Sequence, residues 1–407
     1  MAPKTRPHLQ PSPSWSAIPL DLAVMVLDLL PAYADRARFA AVCPQWRAAA
    51  RLPLTPPQPL LALPDGTFYS LPSGKKYSFP GCGFAGYKST CGSWLVFPRD
   101  DGCFLVDPFS RSTVTLPALS RVRLRPPNAV AKWSYEHREK VPDPYVTWMH
   151  ISESDKLHLS KVILCLPNLV AALVGIGHTS QILICQPWAL SWSVRAYDQC
   201  KRFEDMIFFQ GKLYAITKDE NLLLVNISQD HSTGDPQVSR IVQVIKGDPC
   251  PCFSGVFNHE NMHHQKHYLV ESRGVLLMVC RSIWCRVPEP GENDEIVASG
   301  NQFEVFKADF EHSRWVSVTT FGNDQLLFLG RKCSRFASVP PNGIPGDIIF
   351  FLDDDEESCM EYGYDEENTS FSCYDMRSRS VSSALSKISW KRGDEMRLAA
   401  WLFPQDQ

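Results

Sequence analysis

A membrane-length apolar run is missing from this 407-residue chain. The most apolar stretch, residues 162–177, is interrupted by Pro167-Asn168 and falls short of the ~20 residues that a spanning helix needs. It reads instead as two buried strands around a tight turn. Excess charge of either sign is missing too: 41 Lys and Arg face 44 Asp and Glu, for a net charge of -3. Without a basic field, no nucleic-acid partner is expected. The fourteen cysteines lack the regular spacing of a disulfide scaffold. Residues 1–14 are Pro-rich and polar, without the apolar core of a secretory signal. The expectation is a disordered N-terminus, reduced thiols, and a place in the cytoplasm, the nucleus or both. There is no ordered Ser/His/Asp set, nucleophile elbow or phosphate loop, so neither an enzyme nor a cofactor is expected.

What the chain does have is a compact helical segment, residues 15–52, ahead of a long β-rich remainder. Ile18-Pro19-Leu20-Asp21-Leu22 opens a helix: Pro19 suits the first turn, and Asp21 is favoured by the helix dipole. Leu22, Met25, Val26, Leu29 and Leu30 recur at helical spacing, which predicts one apolar face. Pro31 ends that helix, residues 35–42 form a second, and Pro44 starts a third. Three short helices cannot bury all these side chains among themselves, so the surplus predicts a partner.

The segment ends Val42-Cys43-Pro44-Gln45-Trp46-Arg47. In order, Pro19, Leu22, Leu27, Leu30, Arg36, Val42, Cys43, Trp46 and Arg47 resemble the F-box pattern of a Leu-Pro opening, a spaced Leu/Ile helix and Val-Cys-x-x-Trp-Arg. Ile18 stands where that pattern has Leu, a volume-conserving exchange. The resemblance implies docking on a Skp-type adaptor and, through it, on a cullin. The implied contact residues are Pro19, Leu22, Leu27, Leu30, Val42, Cys43, Trp46 and Arg47. It also implies that the remainder presents an unknown protein substrate for ubiquitination. Two rivals stay open: an interaction module outside any ligase, and an enzyme with its site at a channel mouth.

Residues 53–59 (Pro-Leu-Thr-Pro-Pro-Gln-Pro) read as a stiff, extended connector. From residue 60 to 407 the pattern is short β runs punctuated by Gly or Asn turns, which indicates a sandwich, barrel or propeller. A polar turn opening on Asp recurs at Asp107, Asp309 and Asp375, each between the last two strands of a unit, at a spacing within the propeller range. Ring closure removes exposed edges, which suits so many strands. The count is five units, with residues 399–403 completing a sixth beside residues 60–79. The predicted fold is three helices followed by a propeller of about six blades. Neither Trp-Asp nor Gly-Gly occurs anywhere. Leu326-Leu327-Phe328-Leu329-Gly330 ahead of a Gly-Ile-Pro-Gly-Asp loop is instead similar to the kelch-related propeller domain of a plant F-box family.

Several clusters bear on chemistry. Cys250-Pro251-Cys252 with His259, His263, His264 and His267 is the densest set of metal-type ligands. Cys-x-Cys is not the usual Cys-x-x-Cys spacing, so a polar loop between blades stands beside zinc, and no metal is expected. Gly81-Cys82-Gly83-Phe84-Ala85-Gly86 fits a dinucleotide fingerprint by letters only, because no helix is predicted after it to hold a pyrophosphate. The acidic runs at 353–357 and 365–367 lack the spacing of a calcium loop and read as solvated. Arg121, Arg123 and Arg125 alternate along one face, either to grip an acidic or phosphorylated substrate or to protect a sheet edge. The aromatic insertion 126–160, with Trp133, Tyr135, Tyr145 and Trp148, supplies either protein-binding anchors or a lid.

Overall fold

The computed structural model describes residues 15, 18–30, 32–52, 57–71, 74–79, 83–125, 157–176, 179–195, 201–247, 261–286, 297–330, 332–339, 345–352, 371–383 and 399–404. The chain opens with α1 (Leu20–Asp28), α2 (Tyr33–Val42) and α3 (Pro44–Ala49). Pro19 occupies the cap position of α1 rather than its first turn, and its carbonyl accepts from the Ala23 N–H at 3.0 Å. Pro44 takes the first position of α3, where its missing N–H has no intrahelical partner to lose. Ala23, Leu27, Phe39 and Ala49 form the small core of these helices.

The strands follow as β1 (Leu60–Ala62), β2 (Phe68–Ser70), β3 (Lys75–Tyr77), β4 (Ser89–Cys91), β5 (Trp94–Arg99), β6 (Gly102–Val106), β7 (Thr113–Thr115) and β8 (Val122–Arg125). Next come β9 (His158–Leu166), β10 (Leu169–Ile176), β11 (Thr179–Cys185), β12 (Trp192–Arg195), β13 (Phe203–Phe209), β14 (Lys212–Thr217), β15 (Leu222–Gln229) and β16 (Pro236–Ile245). The last group is β17 (Asn261–Ser272), β18 (Val275–Arg286), β19 (Val297–Asp309), β20 (Arg314–Val318), β21 (Gln325–Leu329), β22 (Arg335–Ser338), β23 (Ile348–Phe351), β24 (Ser372–Asp375), β25 (Ser380–Ser383) and β26 (Ala400–Leu402).

These strands make six sheets of four or five strands among the described residues, and the sheets are the blades of a propeller. Successive contacts of β26 with β4, β4 with β9, β9 with β13, β13 with β17, and β17 with β22 bring one strand from each blade around a common axis. The ring is closed by the chain's end: Leu60, Leu61 and Ala62 pair antiparallel with Leu402, Trp401 and Ala400. Two blades carry a fifth strand. In the third, β8 lies parallel to β12 at the outer edge; in the sixth, β22 folds back inside β21, which runs parallel to β23.

Blade sequences are apolar on both faces because each sheet is covered on both sides by its neighbours. Ile348–Phe351 and Leu60–Ala62 are buried at every position. The core is accordingly divided into six clusters, one between each pair of adjacent blades. Leu173 and Ile184 of blade three meet Met206 and Val225 of blade four, and Leu326 and Phe350 of blade six meet Leu61 and Trp401 of blade one. One buried polar cluster links three blades. Lys161 on β9 bridges to Asp205 on β13, and that carboxylate also accepts the backbone N–H of Met206 and of Leu269, at 2.6 and 2.8 Å.

The Asp turns behave as predicted. Asp107 accepts the Phe109 N–H at 2.8 Å, Asp309 the His312 N–H at 3.2 Å, and Asp375 the Arg377 N–H at 2.8 Å. Asp230 makes a fourth such turn, between β15 and β16, accepting the N–H groups of Ser232 and Thr233 at 2.8 and 3.1 Å. Residues 83–88 form a turn leading into β4, with no helix after it, so the glycine fingerprint has no phosphate-binding context.

The helices are fastened to the ring. Tyr33 of α2 packs edge-on against Phe109 and Tyr77, with ring centroids 4.7 and 5.7 Å away. Ala32 forms a parallel bridge with Gln58, whose side-chain amide donates to the Ser338 carbonyl at 2.5 Å. The connector's described part is thus held at both sides.

Candidate functional site

The single apolar face predicted for α1 is in fact two faces. Ala23 and Leu27 point into the helical core, with Val26 and Leu30 half-buried against it. Leu22, Met25 and Leu29 point the other way, at i, i+3 and i+7, within roughly 60° of one another around the helix. Met25 is 62% and Leu29 60% exposed, and Leu22 and Val42 are also exposed. A helix apolar on two sides satisfies one by its own fold and leaves the other open. Leu27, at 1% exposure, lies in the helical core and holds the helices together from within.

The Val-Cys-x-x-Trp-Arg ending is mostly a set of clamps. Cys43 caps α3, its sulfur accepting the Trp46 N–H at 3.4 Å. Trp46 stacks on Phe39 at 4.4 Å between ring centroids, and its indole N–H donates to the Trp15 carbonyl at 3.2 Å. Arg47 Nε donates to the Ala40 carbonyl at 3.2 Å, tying α3 to α2. Arg36 Nε closes the α1 end through the Leu30 carbonyl at 2.7 Å, and Gln45 reaches the Ile18 carbonyl at 2.6 Å. Burial outweighs the attraction of Asp28 and lowers the pKa of Arg36.

On the propeller, Arg121 is exposed, but Arg123 and Arg125 do not form a free cationic row. Arg123 is paired with Asp235 and Arg125 with Asp230, both at the β15–β16 turn of the next blade. Alternation on β8 placed the two guanidinia on one side, as predicted; the partners come from a segment more than a hundred residues away. The pairs leave little net charge to grip an acidic ligand, so the row ties blade three to blade four. Beside it lies a cleft of ≈ 190 Å³, lined by Arg123, Arg125, Leu190, Trp192 and Asp235. Leu190 and Trp188, on the turn between β11 and β12, are strongly exposed. The insertion with Trp133 and Trp148, both acidic runs, and Cys250, Cys252 and His259 lie outside the described residues. His263 falls in β17.

The comparisons with known proteins agree with this division. A family model described as the KIB1-4 beta-propeller matches residues 60–375. The Arabidopsis thaliana "F-box protein At2g26160" is 21% identical over 378 residues, covering 86% of this chain and 98% of its own length. "F-box protein At2g17036", also from Arabidopsis thaliana, is 24% identical over 372 residues, 84% of each chain. A third, "Putative F-box protein At5g60060" from the same plant, is 30% identical over 93 residues, 22% of this chain and 23% of its own.

Proposed function

Since the chain belongs to the KIB1-4 β-propeller family, we propose that it is the substrate-recognition subunit of a Skp/cullin/F-box ubiquitin ligase. The observation that carries this reading is the outward stripe of Leu22, Met25 and Leu29 on a helix whose other side is already buried. It is further supported by the F-box names of relatives aligned over most of their length. In this reading the stripe, with Val42, docks on a Skp-type adaptor that links the chain to a cullin. The propeller holds a protein substrate, with Trp188 and Leu190 beside the Arg123 cleft as its contact. The chain supplies no reacting group. It raises the effective concentration of substrate lysines near the ubiquitin thioester. Packing of Tyr33 on the ring supports this role, because a fixed offset between adaptor and substrate sites keeps that concentration high. The same reading puts the protein in the cytoplasm, the nucleus or both.

Co-expression with a plant Skp-type adaptor, followed by size-exclusion chromatography, tests this. The expected outcome is one stoichiometric peak that is lost when residues 1–51 are deleted. Separate peaks from a folded full-length chain overturn the adaptor reading and give the exposed stripe to another partner.

A further inference from the structure

Blades four and five meet over a buried side-chain cluster that docking does not use. His267 on β17 lies directly opposite Cys280 on β18 in the antiparallel register, so both leave the sheet on the same face. That face meets blade four, which contributes Glu204 from β13 and Glu220 from the turn after β14. Glu204 Oε2 lies 2.8 Å from His267 Nδ1 and accepts the His267 backbone N–H at 2.7 Å. Glu220 Oε1 lies 3.3 Å from the other ring nitrogen, Nε2. One donor atom each from Glu220, His267 and Cys280 falls within 4.8 Å of the others. The imidazole and thiol are almost wholly buried.

The backbone around Glu220 is fixed in place. Glu220 sits at φ 59°, in the left-handed region that a non-glycine residue rarely adopts. It is held there from both blades. Trp315 of blade five donates its indole N–H to the Glu220 carbonyl at 2.9 Å. Gly247 packs so closely that a Cβ would stand 1.9 Å from the Asp219 carbonyl oxygen, and its N–H donates to Asn221 Oδ1 at 3.0 Å. Glu220 is thus presented to the blade interface from a fixed turn.

We propose that Glu220, His267 and Cys280 form a zinc site that clips blade four to blade five. A carboxylate, an imidazole and a thiolate together make the mixed oxygen, nitrogen and sulfur set that suits zinc rather than calcium or magnesium. Glu204 fills the role of the carboxylate that orients a ligating imidazole: it takes Nδ1–H and leaves Nε2 to face Glu220 and the metal. Donor atoms around tetrahedral zinc stand roughly 3–4 Å apart, given bonds of about 2.0–2.3 Å, so contraction by about an ångström brings these three donors to three of the four positions and leaves the fourth to a water. On binding, the thiol proton of Cys280 and any proton on His267 Nε2 pass to solvent, and no electrons move. In the metal-free protein, burial disfavours a charged His267, and its hydrogen bonds to Cys280, Glu204 and Glu220 outweigh that.

The test loads the full chain with cobalt(II), whose thiolate charge-transfer band reports a sulfur ligand, and counts zinc by native mass spectrometry. The expected result is one zinc ion per chain and a cobalt–thiolate band. The band disappears in Cys280→Ser and remains in a Cys250→Ser/Cys252→Ser double variant. Glu220→Gln and Cys280→Ser are near-isosteric, so circular dichroism can confirm that they fold where His267→Ala does not. Glu204→Gln is expected to weaken zinc binding by roughly 10–100-fold while leaving the band in place at saturation. A folded wild-type chain that retains no zinc overturns the proposal. So does a band that survives Cys280→Ser, or one that goes with Cys250 and Cys252.

Discussion

Leu27 and Met25 stand two positions apart on the same helix and are assigned opposite duties by their burial. Leu27, in the helical core, is worth about 2–5 kcal/mol on truncation to Ala, through lost transfer energy and the cavity left behind. Leu27→Ala is therefore expected to loosen the three helices, seen as increased protease cleavage between residues 20 and 50, and to weaken adaptor binding as a consequence. Met25→Asp changes a side chain that is 62% exposed, so folding should shift by no more than about 0.5 kcal/mol. Its effect belongs at the interface, where a charge placed in a central apolar contact is expected to lower adaptor affinity by at least about 2 kcal/mol, roughly 30-fold. Isothermal titration calorimetry of both variants, with limited proteolysis alongside, separates the two roles. Equal proteolysis of the two variants would contradict the assignment.

At the scale of elements, the β15–β16 and β24–β25 turns are each held by an aspartate whose charged form the fold favours. For Asp230 the hydroxyl and backbone N–H of Ser232 come first, then the Thr233 N–H; with Arg125 also nearby, its pKa falls to about 2. Asp375 is held below the ordinary carboxylate range chiefly by the Arg377 N–H. A carboxylate with a depressed folded-state pKa binds a proton more weakly in the native state than in the unfolded one. Its contribution is therefore complete above the unfolded value near 4 and disappears as pH falls toward 2. Thermal melts of wild type and Asp230→Asn should differ at neutral pH and converge between about pH 4 and pH 2. A gap that stays constant over that range would mean that the ionised carboxylate is not what holds the β15–β16 turn.

Over the whole molecule, stability depends on closing the ring. Trp401 donates its indole N–H to the Leu329 carbonyl at 3.0 Å, and its own carbonyl accepts from the Thr90 hydroxyl at 2.8 Å. Through its side chain and its backbone carbonyl, one residue thus joins blade six, blade one and blade two. Trp401→Ala removes a fully buried indole, at about 3–5 kcal/mol, and leaves the Leu329 carbonyl without its donor. The expected outcome is a large drop in denaturation midpoint. Loss of residues 399–407 should go further, because it leaves β1 as an open edge beside blade six and favours aggregation. A truncated chain that stays monomeric and melts like wild type would show that β26 is dispensable.

Much of this was legible along the chain. Short β runs and Asp turns announced the strands of a propeller, because turn chemistry is a short-range property, and the need to close a ring foretold the pairing of residues near 400 with those near 60. The helical module was legible for the same reason: Pro44 at a helix start and Trp46 beside Cys43 act within a few residues of themselves. Composition could not tell which side of α1 would turn inward, since both sides are apolar and only packing on Phe39 and Ala49 decides between Leu27 and Met25. Nor could spacing pair Arg123 with Asp235, or bring Glu204 and Glu220 onto His267, which was read with neighbours in sequence rather than with its true neighbours in space. Such meetings lie between blades, where residues tens to a hundred positions apart become adjacent only once the ring has closed.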